Sequence, residues 1–535
     1  MHEEALCVLL QLGRLGHRQD EASWRALRCS SRALRCATEH ALFAKLLPHQ
    51  RLHFLRLDAA LARHGTALDV SPMGRGKSYT AAAVAAASRT ARSSDGGGGD
   101  RTVVWGPPSS ELNWRQAFAH FQLGSAAEFY SYSRVQAQPA PYLDKRRDAA
   151  GRPCFAVRAD WQRVGLLVLD EVHWLINRCQ RSDALLQLVL ALAPRGRVLC
   201  LSGTPLRHIE QTTQLARLLR IVRHPRLAQI NLHTHQLELL GLRECFDFCE
   251  RLDAAFRVPL PQHNGYYDES SVQVLHWCMT RVVAQHLFFA MPPPLRQHSA
   301  ALSARRTYDL LWDAFLPHEQ HAELQLGLVG LRDAAQLLRC SGRSGEALAA
   351  LRQSLHRIEL AKLPLFVQFA EHHLRRSAHC KVLLMVHAKA TLEALRAALA
   401  DWAPLCVSSR STSLQRRNRL RAQFQAPSAQ HRLLISTAGL LATGCDLDDQ
   451  SARGDYPRVM AISPSSLADD VKLQVAARVD RLMTTSQASV YYLYSNLLEE
   501  HELMRRLTSS GGRALHGAAP HQPARLTWSQ LCQWS

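Results

Sequence analysis

Two short blocks, set roughly a domain's width apart, dictate the architecture this chain must adopt. The first is the loop Ser71-Pro72-Met73-Gly74-Arg75-Gly76-Lys77-Ser78. The second is the doublet Asp170-Glu171, which closes the apolar run Leu166 to Leu169. Gly74 and Gly76 let the backbone bend tightly enough for successive N–H groups to converge on phosphate oxygens. Lys77 adds a charge suited to the β- and γ-phosphates, and the Ser78 hydroxyl is placed to ligate Mg²⁺. The alanine-rich run Tyr79 to Ala87 predicts a helix, which sets the phosphates at its N-terminus. An ordinary turn also tolerates Gly-x-Gly-Lys, and a solvated strand end tolerates two acids. In this order and at this separation, they read instead as a nucleotide site. Asp170 goes to the metal and Glu171 polarises an attacking water. The expected ligands are ATP and Mg²⁺.

The pattern around these blocks predicts an α/β fold with two tandem lobes. From residue 46 to 223, β-type runs (Val103-Val104-Trp105, Leu166 to Leu169, Val198 to Leu201) alternate with helical spacing, the signature of a parallel sheet. The glycine-rich stretch Ser93 to Asp100 reads as a mobile loop. Residues 224–361 lose their strand signals and read as a mostly helical insertion between lobes. A second α/β lobe is expected over 362–507, with strands at Val382 to Val386, Leu433 to Ser436, Val459 to Ile462 and Val490 to Tyr494. Residues 1–45 form a small helical N-terminal region by the same reading, and 508–535 a flexible tail.

At 535 residues the chain has room for two or three cores. Its net charge of +20 favours a polyanionic partner, with arginine-rich compositional drift as the plain alternative. No apolar stretch reaches the roughly 18 residues a membrane span needs, and the N-terminus lacks a signal-peptide layout. Fourteen cysteines without a C-x-x-C pair suit reduced thiols inside a cell. His233, His235, Cys245 and Cys249 carry zinc-type ligands, but their spacing fits no zinc template, and the expectation is an unrelated assortment.

With those residues in hand, the chain resembles a superfamily-two helicase, and more narrowly a Snf-family DNA-dependent ATPase of the chromatin-remodelling type. Leu47-Pro48-His49-Gln50 is similar to that family's adenine-reading segment, which makes Gln50 the residue for the base edge. Val103 to Ser109, continuing through Asn113-Trp114 and Phe118, resembles its next block, as does Phe129 to Ser133. Ser202-Gly203-Thr204-Pro205 is similar to its Thr-Gly-Thr-Pro segment. In the second lobe, Ser436-Thr437 with Gly444-Cys445-Asp446-Leu447 resembles a block touching nucleotide and nucleic acid, one residue longer than usual. Gln474, Arg478 and Arg481 fit the family's Q-x-x-x-R-x-x-R finger motif, although Asp480 and Leu482-Met483-Thr484 depart from it.

The resemblance implies two RecA-like lobes that close on ATP and Mg²⁺. Ser78 and Asp170 would hold the metal, and Gln50, Gly74, Gly76, Lys77, Gly444 and Asp446 the nucleotide. Glu171 and Lys77 would act with the finger arginines Arg478 and Arg481 in catalysis. It also implies a nucleic-acid partner, double-stranded DNA first, with Arg134, Lys389 and Thr437 as contact candidates. Residues 1–45 or 224–361 would be open to a protein partner, with no membrane association and an intracellular, nuclear or viral-replication setting. A compact motor of this kind is similar to the stand-alone forms of large DNA viruses. The alternatives are a strand-unwinding DNA or RNA helicase, a transcription-associated viral-type ATPase, and a non-hydrolysing DNA-binding scaffold.

Overall fold

A computed structural model describes residues 41–72, 74–93, 101–136, 140–147, 153–176, 179–203, 205–206, 209–230, 237–257, 267–291, 306–313, 316–341, 345–408, 413–437, 447–449, 451, 454–464, 475–476, 478–479, 484–495, 497, 500–501, 503 and 524–533. The first lobe opens with α1 (Pro48–His64), and Pro48 at its first turn suits a position whose N–H needs no partner. Gly65 ends the helix in the left-handed region at φ 71°, its N–H bonding to the Leu61 carbonyl. There follow β1 (Thr66–Asp69), α2 (Lys77–Ser93), β2 (Arg101–Gly106), α3 (Glu111–His120) and β3 (Ala127–Ser131). An antiparallel hairpin, β4 (Leu143–Arg147) with β5 (Pro153–Val157), precedes β6 (Val164–Asp170), α4 (Gln180–Ala191), β7 (Arg197–Leu201) and α5 (Thr212–Leu218). The lobe finishes with β8 (Gln229–Ile230), β9 (Leu237–Glu238), α6 (Leu240–Leu252), α7 (Tyr267–Cys278), a π-helical turn at Met279–Val283, α8 (Ala284–Leu287) and β10 (Phe288–Phe289).

Six strands form one all-parallel sheet in the order β10-β1-β7-β6-β2-β3. β6 is buried at every position, as a strand covered on both faces must be. Ala81 to Ala86 of α2 are also buried, small enough for the helix to lie close against its neighbours. Register fixes the geometry that matters. Asp69, Leu201 and Asp170 stand abreast at the carboxyl edge, so the chain turns that follow β1, β7 and β6 meet there.

The second lobe is built from β11 (Arg306–Leu311), α9 (His318–Ser341), α10 (Gly345–Ala361), α11 (Leu363–Arg376), β12 (Lys381–Val386), α12 (Lys389–Ala398), β13 (Leu405–Val407), α13 (Leu414–Gln425), β14 (Leu433–Thr437), β15 (Arg458–Ile462), β16 (Ala488–Tyr494), β17 (Ala524–Thr527) and α14 (Trp528–Gln533). Its seven strands are also all parallel, in the order β13-β14-β12-β15-β16-β11-β17. Two separate apolar clusters cover its faces. One contains Leu383, Met385, Leu434 and Tyr492, the other Val382, Leu384, Ile435 and Tyr491, which is the alternation a buried strand produces. A buried Lys362–Glu500 pair at 2.6 Å ties the start of α11 to the chain beyond β16, and Lys362 also donates to the Leu493 carbonyl.

The two parallel sheets agree with the α/β expectation, and each strand run read from the sequence is a strand here. Two expectations need correction. Residues 224–361 are helix-rich, but their strand signals do not vanish. Phe288–Phe289 extends the first sheet and Arg306–Leu311 lies inside the second. Two-residue β10 is too short for a periodicity to register. Nor is the end of the chain a flexible tail throughout. Ala524–Thr527 pairs with β11, and Trp528 stacks on Trp312 with ring centroids 4.1 Å apart. Burial of that indole pair outweighs the polar composition preceding it. The expected helical region over 1–40, the glycine loop at 94–100 and residues 508–523 lie outside the described residues.

Burial gives the second lobe an acid sensitivity. His373 on α11 packs edge-on against Phe369, and burial, then the charges of His372 and Arg376, push its pKa down from 6.5 to about 3. The unfolded chain therefore takes up a proton that the folded lobe refuses. His373 contributes fully above pH 6.5, and its contribution is lost as pH falls from there towards 3, by up to about 1.4 kcal/mol per pH unit. Urea unfolding at pH 7 and pH 5 should show a smaller difference for His373→Leu than for the parent chain.

Candidate active site

Beyond β1 the chain enters the phosphate loop, anchored at its base by a buried triad. The Ser71 N–H donates to Asp69 Oδ1 at 2.8 Å, and His53 of α1 meets Asp69 Oδ2 at 2.9 Å through Nε2. Gly74 and Gly76 hold φ of 78° and 89°, conformations that L side chains rarely adopt. A Cβ on Gly76 would stand 2.1 Å from Gln50 Nε2. Gln50 clasps the loop: its Nε2 donates to the Arg75 carbonyl at 3.2 Å, while its Oε1 accepts from the Leu47 N–H at 3.1 Å. His49 Nε2 lies 3.3 Å from the same Arg75 carbonyl. Gln50 thus sits beside the loop as its motif implies, with its amide engaged by backbone on both sides. Lys77, the first residue of α2, is buried and donates to the carbonyls of Ser71 at 2.8 Å and Pro72 at 3.4 Å. Ser78 follows in the first helical turn and is half-buried.

The acidic doublet stands opposite. Successive residues of a strand point to opposite faces, so two adjacent acids would normally part company at a strand end. Glu171 breaks the alternation by taking φ 53°, ψ 54°, a left-handed conformation costly for a non-glycine residue and worth about 1–3 kcal/mol of local strain. The charge of Lys77 then reaches both carboxylates.

Their environments push the two acids apart. For Asp170, burial and then the Glu171 charge raise the pKa to about 6, against the Trp114 indole, the Lys77 charge and a Ser110 hydrogen bond. For Glu171, burial pulls upward, but the hydrogen bond and charge of His173, then the charges of Lys77 and Arg478, outweigh it and hold the carboxyl below its ordinary value. Glu171 is the acid kept ionised.

Two residues whose roles were open in the sequence fix Asp170. Trp114 Nε1 donates to its Oδ2 at 2.8 Å, and the Tyr132 hydroxyl donates to its backbone carbonyl at 2.6 Å. The Asn113-Trp114 and Tyr130-Ser131-Tyr132 blocks were their only signal. His173 bridges neighbouring strands: its Nδ1 is 3.1 Å from Ser202 Oγ and 3.4 Å from Glu171 Oε2. Ser202 in turn donates its N–H to the Asp69 carbonyl at 2.9 Å, closing a ring of contacts around the carboxyl edge.

From the second lobe, Arg478 is buried, its backbone held by Val475 and Leu447, and its charge acts on Glu171 of the first lobe. Arg481, Gln474, Gly444, Asp446 and Thr204 lie outside the described residues. The oxygen donors of Ser78 and Asp170 are of the hard type Mg²⁺ takes, and a Cβ on Gly76 would crowd the Gln50 amide. The residues present fit a magnesium nucleotide.

No protein-family model matches the chain, and no curated protein matches it. Solved structures similar to it include a single-site variant of S. cerevisiae Dbp5 bound to RNA and ADP BeF3, at 10% identity and TM-score 0.44, covering 91% of this chain and 96% of that one. The Sulfolobus solfataricus SWI2/SNF2 ATPase core in complex with dsDNA is similar at 14% identity and TM-score 0.30, covering 87% of this chain and 93% of that one.

Two substitutions test the geometry without any assay of turnover. Gly76→Ala should cost about 1–3 kcal/mol of loop strain and weaken binding of an ATP analogue, read by titration, while circular dichroism stays unchanged. Trp114→Phe strands a buried Asp170 oxygen and should lower the unfolding free energy by about 1–3 kcal/mol, read by urea denaturation. An unchanged stability would separate the indole from the carboxylate.

Proposed function

We propose that this chain is a nucleic-acid-stimulated ATP hydrolase of the superfamily-two helicase kind, a Snf-type motor that moves along double-stranded DNA and remodels protein–DNA complexes. The single observation that carries this reading is the glycine loop before Lys77 standing beside the Asp170–Glu171 doublet at the carboxyl edge of one parallel sheet.

Each residue then has a task set by its surroundings. The N–H groups of the glycine loop and the Lys77 ammonium bind the phosphates, the lysine exchanging its carbonyl partners Ser71 and Pro72 for phosphate oxygens. Ser78 and Asp170 would hold Mg²⁺, which would supply positive charge to neutralise charge developing on the phosphates. Trp114 orients the Asp170 carboxylate for that duty. Glu171, held ionised, accepts a hydrogen bond from the attacking water and takes its proton. Arg478 donates to the transferring phosphoryl group, joined by Arg481 in the motif. Because the acid and the arginine come from different lobes, turnover is tied to lobe closure, and closure and reopening supply motion along a strand.

A polyanionic track is supported by charge and placement. The net charge is +20. Arg134 follows β3, Lys389 follows β12 and Thr437 ends β14, so all three stand at the carboxyl edges of the sheets. Helix α13 adds Arg416, Arg417, Arg419 and Arg421 with no acidic residue between them. Contacts of this type read phosphates rather than sequence, and their affinity falls with salt. The preference for duplex DNA, the Snf assignment and the likeness to stand-alone viral motors rest on the sequence blocks.

ATPase assays without polymer and with duplex DNA, single-stranded DNA or RNA test the reading. Stimulation by duplex DNA, weakening with salt, is the expected result; stimulation confined to single strands or RNA would favour the unwinding helicase. Arg478→Ala should lower kcat by about 10³–10⁵, as for other arginine fingers, with nucleotide binding largely retained. Glu171→Gln should abolish turnover while ATP still binds. Full turnover in both variants would remove Glu171 and Arg478 from the catalytic assignment, whereas a parent chain that binds ATP without hydrolysing it under any of these conditions would be the scaffold.

A further inference from the structure

Behind the first sheet lies a cluster that the nucleotide site does not use. Cys245 and Cys249 stand one turn apart on α6, and Cys278 ends α7. All three are fully buried, and their sulfurs lie within 4.8 Å of one another. The sequence pairs only Cys245 with Cys249; the fold supplies Cys278. His233 and His235, which share their neighbourhood in the sequence, lie outside the described residues and have no part in the argument.

Buried cysteines commonly serve as small apolar residues, and a core of that kind has no reason to aim three sulfurs at one another. Nor can disulfide formation satisfy this set, because three is odd and one thiol would be left over. Tetrahedral zinc–thiolate sites, with bonds of about 2.3 Å, place their sulfurs about 3.8 Å apart; small side-chain rotations reach that from the observed triangle. The backbone also departs from regular helix at this point. The π-helical turn Met279–Val283 begins directly after Cys278, and such turns are uncommon outside functional positions.

We propose that Cys245, Cys249 and Cys278 form a three-thiolate site for a thiophilic d¹⁰ cation, zinc foremost, that clamps α6 to α7. Copper(I), which accepts trigonal thiolate coordination, shares this chemistry and is separated from zinc by the test. The clamp bears on the rest of the lobe through connectivity. From Cys278 the chain runs through the π turn and α8 into β10, which pairs with β1 through Leu68↔Phe288 and Asp69↔Phe289. Immediately beyond, the Met291 N–H donates to Ser71 Oγ at 2.8 Å. A cation held by the three thiolates would therefore brace the outer strand against which the phosphate loop rests.

The deciding measurements read metal rather than turnover, so they stand or fall independently of the motor. Full-length protein purified without chelator should carry about one equivalent of zinc or copper by mass spectrometry, and X-ray absorption at that metal's edge should show sulfur scatterers at about 2.3 Å. Cobalt(II) substitution should give a thiolate charge-transfer band. Cys249→Ser and Cys278→Ser should lose the metal and the band, whereas Cys406→Ser, in β13 of the other lobe, should keep both. Negligible metal as isolated and after anaerobic reconstitution with zinc or copper(I) would overturn the proposal. So would a sulfur-free first shell in the parent protein, a result that needs no variant to fold.

Discussion

Two adjacent carboxylates, one buried and one largely so, set the terms for everything around them. Burial favours protonation of both Asp170 and Glu171, and each charge opposes the other. Left alone, such a pair would share a proton and neither acid would be fit for a distinct task. The site resolves this by giving each acid its own partners. Asp170 receives the Trp114 indole and has its backbone pinned by Tyr132, while Glu171 receives His173 and Arg478. The left-handed turn at Glu171 ends the strand's alternation directly after Asp170, and the one Lys77 charge acts on both acids.

The same constraint explains why the site spans two lobes. The first lobe brings one buried lysine to two acids, and the Arg478 charge reaches Glu171 only from the second sheet's side of the molecule. The Arg478 charge adds to the larger effects of His173 and Lys77 in keeping Glu171 ionised.

Much of this was legible in the sequence, and the reason is local. Gly74, Gly76, Lys77 and Ser78 are fixed by what a tight phosphate-binding turn requires, and the strand runs ending at Asp170, Leu201 and Val386 announce themselves as unbroken apolar segments. What escaped depends on register and long-range packing. Nothing local distinguishes the Trp114 indole as a partner of Asp170, 56 positions away. Phe288–Phe289 is too short to show a period, and Trp528 finds Trp312 across more than two hundred residues of chain. Cys278 joins Cys245 and Cys249 only because α6 and α7 pack together. For residues such as Arg481, Gly444 and Asp446, the sequence motif alone carries the assignment.

The phosphate loop is held from both sides, and the two holds differ in what they can transmit. On one side Gln50 and His49 grip the Arg75 carbonyl from α1, which begins the lobe. On the other, Ser71 Oγ accepts from Met291, and Val70 donates to the Phe289 carbonyl. Met291, two residues beyond β10, therefore fastens the end of that edge strand to the base of the loop. A displacement of Ser71 would act on Met291 and β10, and a displacement of β10 would act on Ser71. The strand pairing of β10 with β1 makes this link stiff, since two parallel backbones locked in register move together. The hold through Met291 thus complements the grip of Gln50 and His49 on the Arg75 carbonyl. One fixes the loop to the edge strand beside β1, and the other fixes it to the helix that precedes β1.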